Sequence, residues 1–168
     1  MSDMEPGTFY WITGLSGAGK TTIGRELFRR LRAEKSNVVM LDGDTLRKVF
    51  GDDLGYTVED RHTSAMRNAR LGSFLASQGL DVICCTISMF EDVREWNRAR
   101  SNHYVEIYLK VPMNVLHERN QKGLYESEKS HLVGIGVKME EPRHPDFVFE
   151  NDGSMTPQEI VDEILGED

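Results

Sequence analysis

Cysteine is almost missing from this chain: its 168 residues hold two, Cys84 and Cys85, side by side in "DVICCTIS". Neighbours on a strand point to opposite faces, which argues against an ordinary structural disulfide and predicts two reduced thiols in a buried strand. Positive charge is also in short supply. Twenty Lys and Arg face 28 Asp and Glu, a net charge of −8. A general nucleic-acid binder needs a basic excess on one face, so that class is set aside, although a few local cations still suffice for one small anion. No apolar run approaches the ~20 residues of a membrane span. The opening "MSDMEPG" lacks a basic stretch followed by an apolar one, so no secretory signal is expected and the cytoplasm is the expected location. The five histidines lie scattered without metal-ligand spacing, against a zinc site. There is no internal repeat, linker or low-complexity tract.

What is present describes one globular unit. Hydrophobic residues make up 39% and charged residues 29%, enough for a core within a single domain over 1–168. Apolar runs at 9–13, 38–42, 82–87, 104–111 and 147–151 read as strands, most without polar alternation, as in strands covered on both faces. Helix-like stretches at 19–35, 59–79, 91–101, 113–121 and 157–165 alternate with them. The last is announced by Thr156 as cap, Pro157 at the first helical position and Glu159 in an acidic first turn. The fold class is therefore α/β: a parallel sheet of about five strands with helices on both faces. The least regular stretch, 122–143, holds three glycines and is the candidate for a mobile flap.

Gly14 to Thr21, "GLSGAGKT", matches G-x-x-x-x-G-K-[ST] and sits between a strand and a helix. Glycines let successive amides turn inward at an anion, and the helix that follows adds its positive end. Gly14, Ser16, Gly17, Ala18, Gly19, Lys20, Thr21 and Thr22 are thus the candidate nucleotide cradle, with Lys20 reaching the β- and γ-phosphates and the Thr21 hydroxyl on Mg²⁺. A guanine-reading N-K-x-D is absent, and "DDLG" at 52–55 has no strand leading into it, which speaks against a GTPase switch.

Phosphoryl transfer also needs a base, cations for the acceptor and a closing flap. The second strand ends in "LDGDTLR". Ligands gather at the carboxyl ends of strands in open α/β sheets, so Asp42 and Asp44 should face the cradle. One would accept a hydroxyl proton, the other orient it or a metal-bound water, and the competing reading is an Asp-rich turn capping a short helix. Arg47 and Arg61 suit an anionic acceptor. Arg67, Arg70 and the stretch "REWNRAR" read as solvated helix faces, with Trp96 packing inward.

With "GLSGAGKTT", "LDGD..R", "DLGY..EDR", "TIS.F", "R..KGLY" and "EEP..PD" in order, the chain resembles the adenylylsulfate kinases from about Tyr10 to Leu165. The resemblance implies a P-loop three-layer sandwich with a lid over roughly 119–143, and a family commonly dimeric. It implies transfer of the γ-phosphoryl of Mg·ATP to the ribose 3′-hydroxyl of adenylyl sulfate. By position it assigns Asp42 as base, and as a metal ligand through water, with Asp44 beside the same hydroxyl. Arg47 and Arg61 fall on acceptor-holding positions, Tyr56 on the base-stacking aromatic, and Ile87 and Ser88 on the acceptor pocket. Arg119 would belong to the ATP side and Lys122 to the flap.

Departures from the family pattern gather on the acceptor side. The family's acceptor-holding asparagine is Ser64 here, "SPF" reads "SMF" with Met89, "RDPKG" reads "RNQKG" with Asn120, and the second stacking aromatic is Leu132. Such changes fit a relative that phosphorylates another nucleotide-linked acceptor. The "TISMF…REWNR" stretch resembles that of kinases of cytidine diphosphoramidate in capsule biosynthesis, which make the alternative acceptor. A non-catalytic nucleotide-binding subunit is the third reading.

Overall fold

The five apolar runs form β1 (Thr8–Thr13), β2 (Val38–Asp42), β3 (Asp81–Thr86), β4 (His103–Lys110) and β5 (Phe147–Glu150). In the computed structural model, which describes residues 4–119 and 140–167, they make one sheet in the order β2-β3-β1-β4-β5. Every pairing is parallel. Parallel neighbours need a crossover between them, and helices supply it: α1 (Lys20–Glu34), α2 (Gly43–Val49), α3 (Val58–Ser77), α4 (Glu91–Arg100), α5 (Met113–Arg119) and α6 (Pro157–Leu165). Among the described residues no helix is long and apolar enough to cross a membrane.

The sheet divides two cores, which is why its strands lack polar alternation. On one face Tyr10, Ile12, Ile83 and Cys85 pack against Ile23, Leu27 and Leu31 of α1 and Ile160, Val161 and Ile164 of α6. On the other, Phe9, Trp11, Val82 and Cys84 meet Ala65, Ala69 and Ala76 of α3 and Val93 of α4. The adjacent cysteines thus enter opposite cores as free thiols. Burial pushes Cys85 up to about 12 and raises Cys84 as well, so both stay neutral thiols at physiological pH. Helix α6 begins on the expected cap: the Thr156 hydroxyl accepts from Glu159 N while the Glu159 carboxylate accepts from Thr156 N, a reciprocal capping box.

The short α2 follows β2 without a break and starts on Asp42, the capped short helix that the competing reading of "DGD" offered. One feature departs from the sequence expectation. On α4, "REWNRAR" is not wholly a solvated face. Arg94 is 1% exposed and paired with buried Glu91 at 2.7 Å. Its neighbour Trp96 is half-buried against the second core, as expected.

Register decides where chemistry can occur. Asp42 lies level with Cys85, Ile12 with Cys85, and Thr13 with Thr86. The loops leaving β1, β2 and β3 therefore start from one edge, the carboxyl edge of the sheet.

Candidate active site

Leaving β1, residues 14–19 turn sharply before α1 begins. Gly17 and Gly19 hold left-handed φ values of 84° and 91°, which residues bearing a Cβ rarely adopt. Gly19 is the N-cap of α1 and brings no capping side chain, so the amides of that first turn stay available to an anion. The loop is fastened from β5's end, where Asn151 Nδ2 donates to Ala18 O at 2.7 Å. A Cβ on Gly19 would lie 2.5 Å from that same nitrogen. Asn151 escaped sequence reading; its only signal is its place just past a strand's carboxyl end.

The Lys20 ammonium reaches back across the loop to donate to Leu15 O at 2.7 Å. Burial pushes Lys20 down to about 8, against the opposing pull of the Asp44 and Asp42 carboxylates. A half-buried ammonium held by one carbonyl has protons left to place, since it carries three. Phosphate oxygens are the partners that would complete it.

Asp42 unites both readings of "DGD". Its Oδ1 accepts from Asp44 N at 3.0 Å and Thr45 N at 3.3 Å, capping α2. Its Oδ2 accepts from Thr21 Oγ1 at 3.0 Å, joining β2's end to the cradle. Side-chain oxygens from the start of α1 and the end of β2 therefore meet at one point, a donor set of the hard type that Mg²⁺ takes, one or two protein oxygens with water completing its shell. Asp44 stands exposed at the cavity wall nearby.

A cavity of about 580 Å³ runs from the cradle to the far side of this junction. Ser16, Gly17, Gly19, Lys20, Thr21 and Thr22 line one end, while Gly14 and Ala18 are buried behind it. Asp42 and Asp44 line the middle. Arg47, Tyr56, Arg61, Ser64, Ile87 and Ser88 line the other end. Arg119 closes α5, its side chain outside the described residues. Asn120, Lys122 and Leu132, with the lid over most of its length, also lie outside them.

The acceptor-side residues form one cluster. Arg47 Nη1 donates to Leu54 O and Gly55 O, both at 3.1 Å, and its guanidinium stands 4.5 Å from the Tyr56 ring centre. Arg61 Nε donates to Tyr56 O at 2.9 Å, with its guanidinium 5.5 Å from the same ring. Arg61 Nη2 is buried without a hydrogen-bond partner among the described residues. Burial, then the neighbouring Arg47 charge, pushes the Arg61 pKa down. Two like charges around an orphaned donor are what an incoming anion relieves. Across the cavity, Ile87 is held by its carbonyl, which accepts from Thr13 Oγ1 at 2.8 Å, and the Ser88 and Thr86 hydroxyls pair at 2.5 Å. Arg67, by contrast, forms a forked surface pair with Asp53, in keeping with a solvated face.

Arg94 is a positioning residue that sequence reading took for surface. Its Nη1 donates to Ser88 O at 3.2 Å and its Nη2 to Glu140 O at 2.6 Å, while Glu91 balances its charge. Glu140 N in turn donates to Met89 O at 3.0 Å. One buried guanidinium thus joins the pocket wall at Ser88 to Glu140. The Glu91–Arg94 i,i+3 spacing was the available signal. Arg94→Leu leaves Glu91 buried and unpaired, at a cost of about 3–5 kcal/mol, and should lower the melting temperature by about 10 °C in calorimetry. An unchanged melting temperature would refute that role.

The comparisons agree with this architecture. The family model for adenylylsulphate kinase matches residues 6–150. A cytidine diphosphoramidate kinase from Campylobacter jejuni subsp. jejuni serotype O:2 is 38% identical over 159 residues, 92% of each chain. An adenylyl-sulfate kinase from Halothermothrix orenii is 35% identical over 165 residues, 96% of this chain and 89% of that one. The crystallised Mycobacterium tuberculosis APS kinase CysC, in complex with AMPPNP and APS, superposes with a TM-score of 0.85 at 27% identity, covering 96% and 97% of the two chains. With a five-stranded parallel P-loop sheet, a cradle opening onto an acceptor cavity and relatives matching along its length, the chain belongs to the adenylylsulphate kinase family and is a nucleotide kinase.

Proposed function

We propose that the chain transfers the γ-phosphoryl group of ATP to the ribose 3′-hydroxyl of a cytidine nucleotide carrying a terminal phosphoramidate. The single observation behind phosphoryl transfer is the continuous cavity in which the Lys20 and Thr21 cradle meets the Asp42 carboxylate and a two-arginine pocket. A donor triphosphate at one end and a nucleotide acceptor at the other would bring their reacting groups together at Asp42. The amides of the first turn of α1 and the Lys20 ammonium hold the phosphates, Asp42 Oδ2 takes the hydroxyl proton, and Asp44 orients the attacking oxygen. Arg47 and Arg61 hold the acceptor's own phosphates, and Tyr56 presents its ring to the base. Thr21 and, through water, Asp42 would hold Mg²⁺, which supplies neutralisation of charge on the transferring phosphates.

The cytidine acceptor is supported by the 38% identity with the Campylobacter jejuni kinase and by the departures Ser64 and Met89 in the acceptor wall. Adenylyl sulfate is the second reading, supported by the family model and by the relative from Halothermothrix orenii. An ADP-release assay with ATP and Mg²⁺, run with cytidine diphosphoramidate, CDP, UDP and adenylyl sulfate, decides between them. The proposal expects a kcat/KM for cytidine diphosphoramidate at least tenfold above that for adenylyl sulfate. The reverse order assigns the sulfated acceptor. ATP binding without turnover of any acceptor would instead mean a non-catalytic binding subunit.

A further inference from the structure

Helix α3 presents one face to the acceptor end of the cavity. Arg61, Ser64, Ala65 and Asn68 all line it, and they follow the i, i+3, i+4, i+7 spacing of one helical stripe. At 1.5 Å per residue the stripe is about 10 Å long. Arg61 and Ser64 fall on positions with a counterpart in the family pattern; Asn68 does not. Asn68 is 3% exposed, yet its carboxamide has no hydrogen-bond partner among the described residues. Its remaining exposure is to the cavity it lines.

An amide on a cavity wall with no partner among the described residues is left to water in the empty fold, and a ligand that offers both a donor and an acceptor can take the place of that water. The helix around it is built from small apolar residues, Ala65, Ala69 and Gly72, any of which packs more cheaply than an amide. A polar side chain set among small apolar residues, facing a ligand cavity and bonded to none of the described residues, is a recognition group awaiting its ligand. Its chemistry defines what it recognises. The amide nitrogen donates and the amide oxygen accepts, side by side, so its full complement is a group with an N–H next to an acceptor atom. The amino and ring-nitrogen edge of cytosine or adenine has that pattern, as do the N3–H and carbonyl of uracil and a terminal phosphoramidate; sulfate, with acceptors alone, does not.

We infer that Asn68 is a specificity-determining residue that hydrogen-bonds an amino group and its adjacent acceptor atom on the nucleotide being phosphorylated. The inference rests on the acceptor pocket proposed above and adds the group that pocket reads. In Ser64 and Asn68 the stripe carries a hydroxyl and an amide one turn apart.

The test compares wild type with Asn68→Leu and Asn68→Asp in the same ADP-release assay. Leucine keeps the branched outline of the amide, though it is bulkier, and removes both hydrogen-bonding atoms. It should leave the melting temperature of the free protein unchanged or higher, and the KM for ATP unchanged, while lowering kcat/KM for the amino-bearing acceptor about 10- to 100-fold. Asn68→Asp keeps the oxygen that accepts from the amino group but loses the donor, and should fall between the two. The acceptors separate the sources. If the base is read, Asn68→Leu lowers cytidine diphosphoramidate and CDP alike. If the phosphoramidate is read, the effect vanishes with CDP. An equal kcat/KM for wild type and Asn68→Leu on every acceptor overturns the inference while leaving the kinase reading intact. Wild type that turns over no acceptor overturns the kinase reading instead.

Discussion

Lys20→Met is expected to lower kcat about a thousandfold with any acceptor, measured by ADP release at saturating ATP. The magnitude follows from removing a preorganised positive donor from a buried phosphate site, where one such group contributes two to three orders of magnitude or more. Loss of folding would not explain it. The ammonium is desolvated and holds a single carbonyl, Leu15 O, so replacing it by an uncharged chain of similar length should not lower the melting temperature of the free protein.

The same residue provides a second, independent reading of its role. Because burial brings Lys20 down to about 8 in the free protein, its charged fraction falls as pH rises through that value. A triphosphate beside it favours the ammonium, so nucleotide binding between pH 8 and 9 should take up protons, and affinity should weaken above pH 8. Calorimetry of AMPPNP binding in buffers of different ionisation enthalpy measures this uptake directly. Lys20→Met should abolish it. A wild-type protein that binds AMPPNP with no proton uptake at pH 8.5 would show that Lys20 does not face the phosphates.

Asp42→Asn carries the second large effect, a fall in kcat of about 10²- to 10⁴-fold, the range of a lost general base. Asparagine is the informative choice because Asp42 has two structural duties besides its charge. Its Oδ1 caps α2, and Asn is as good a cap as Asp, so the helix start survives. The Oδ2 position, which accepts from Thr21, becomes an amide nitrogen that can donate to the Thr21 hydroxyl instead, so the contact survives with its direction reversed. What disappears is the capacity to take a proton. AMPPNP affinity should therefore stay within a few-fold of wild type while turnover collapses. Asp42→Ala, in contrast, also forfeits the cap, at a further ~1 kcal/mol of stability. Asp44→Asn is the necessary companion. If it rather than Asp42→Asn abolished turnover, the base would be Asp44 and Asp42 would serve as cap and cradle contact.

The contrast between α4 and α3 explains what could be read in advance and what could not. On α4, four charged residues in seven look like a wet surface, because linear sequence cannot tell a solvated charge from one whose partner sits one turn away. Arg94 becomes internal only once residues 140–143 return across the helix, and no local pattern announces that return. On α3, Arg61 was legible because an arginine beside a cluster of acceptor-type motifs is chemically conspicuous. Asn68 was not, since an asparagine in mid-helix has no signature until the fold shows that it lies on a cavity wall without a partner.

Alternation of apolar runs with amphipathic stretches, set by the two periods of strand and helix, was enough to determine five strands, their parallel sense and nearly all the helices. Glycines at the cradle, with Lys20 and Thr21 at fixed offsets, determined the phosphate site, because the whole device is local: eight consecutive residues and the helix they open. Tertiary structure alone decided the rest. Only the sheet order, which sets β3 between β2 and β1, brings Asp42 to Thr21, folds Arg47, Tyr56 and Arg61 into one pocket and turns Asn68 toward it. Those contacts join residues far apart in the chain, and their energies depend on burial and register, which no stretch of sequence carries by itself.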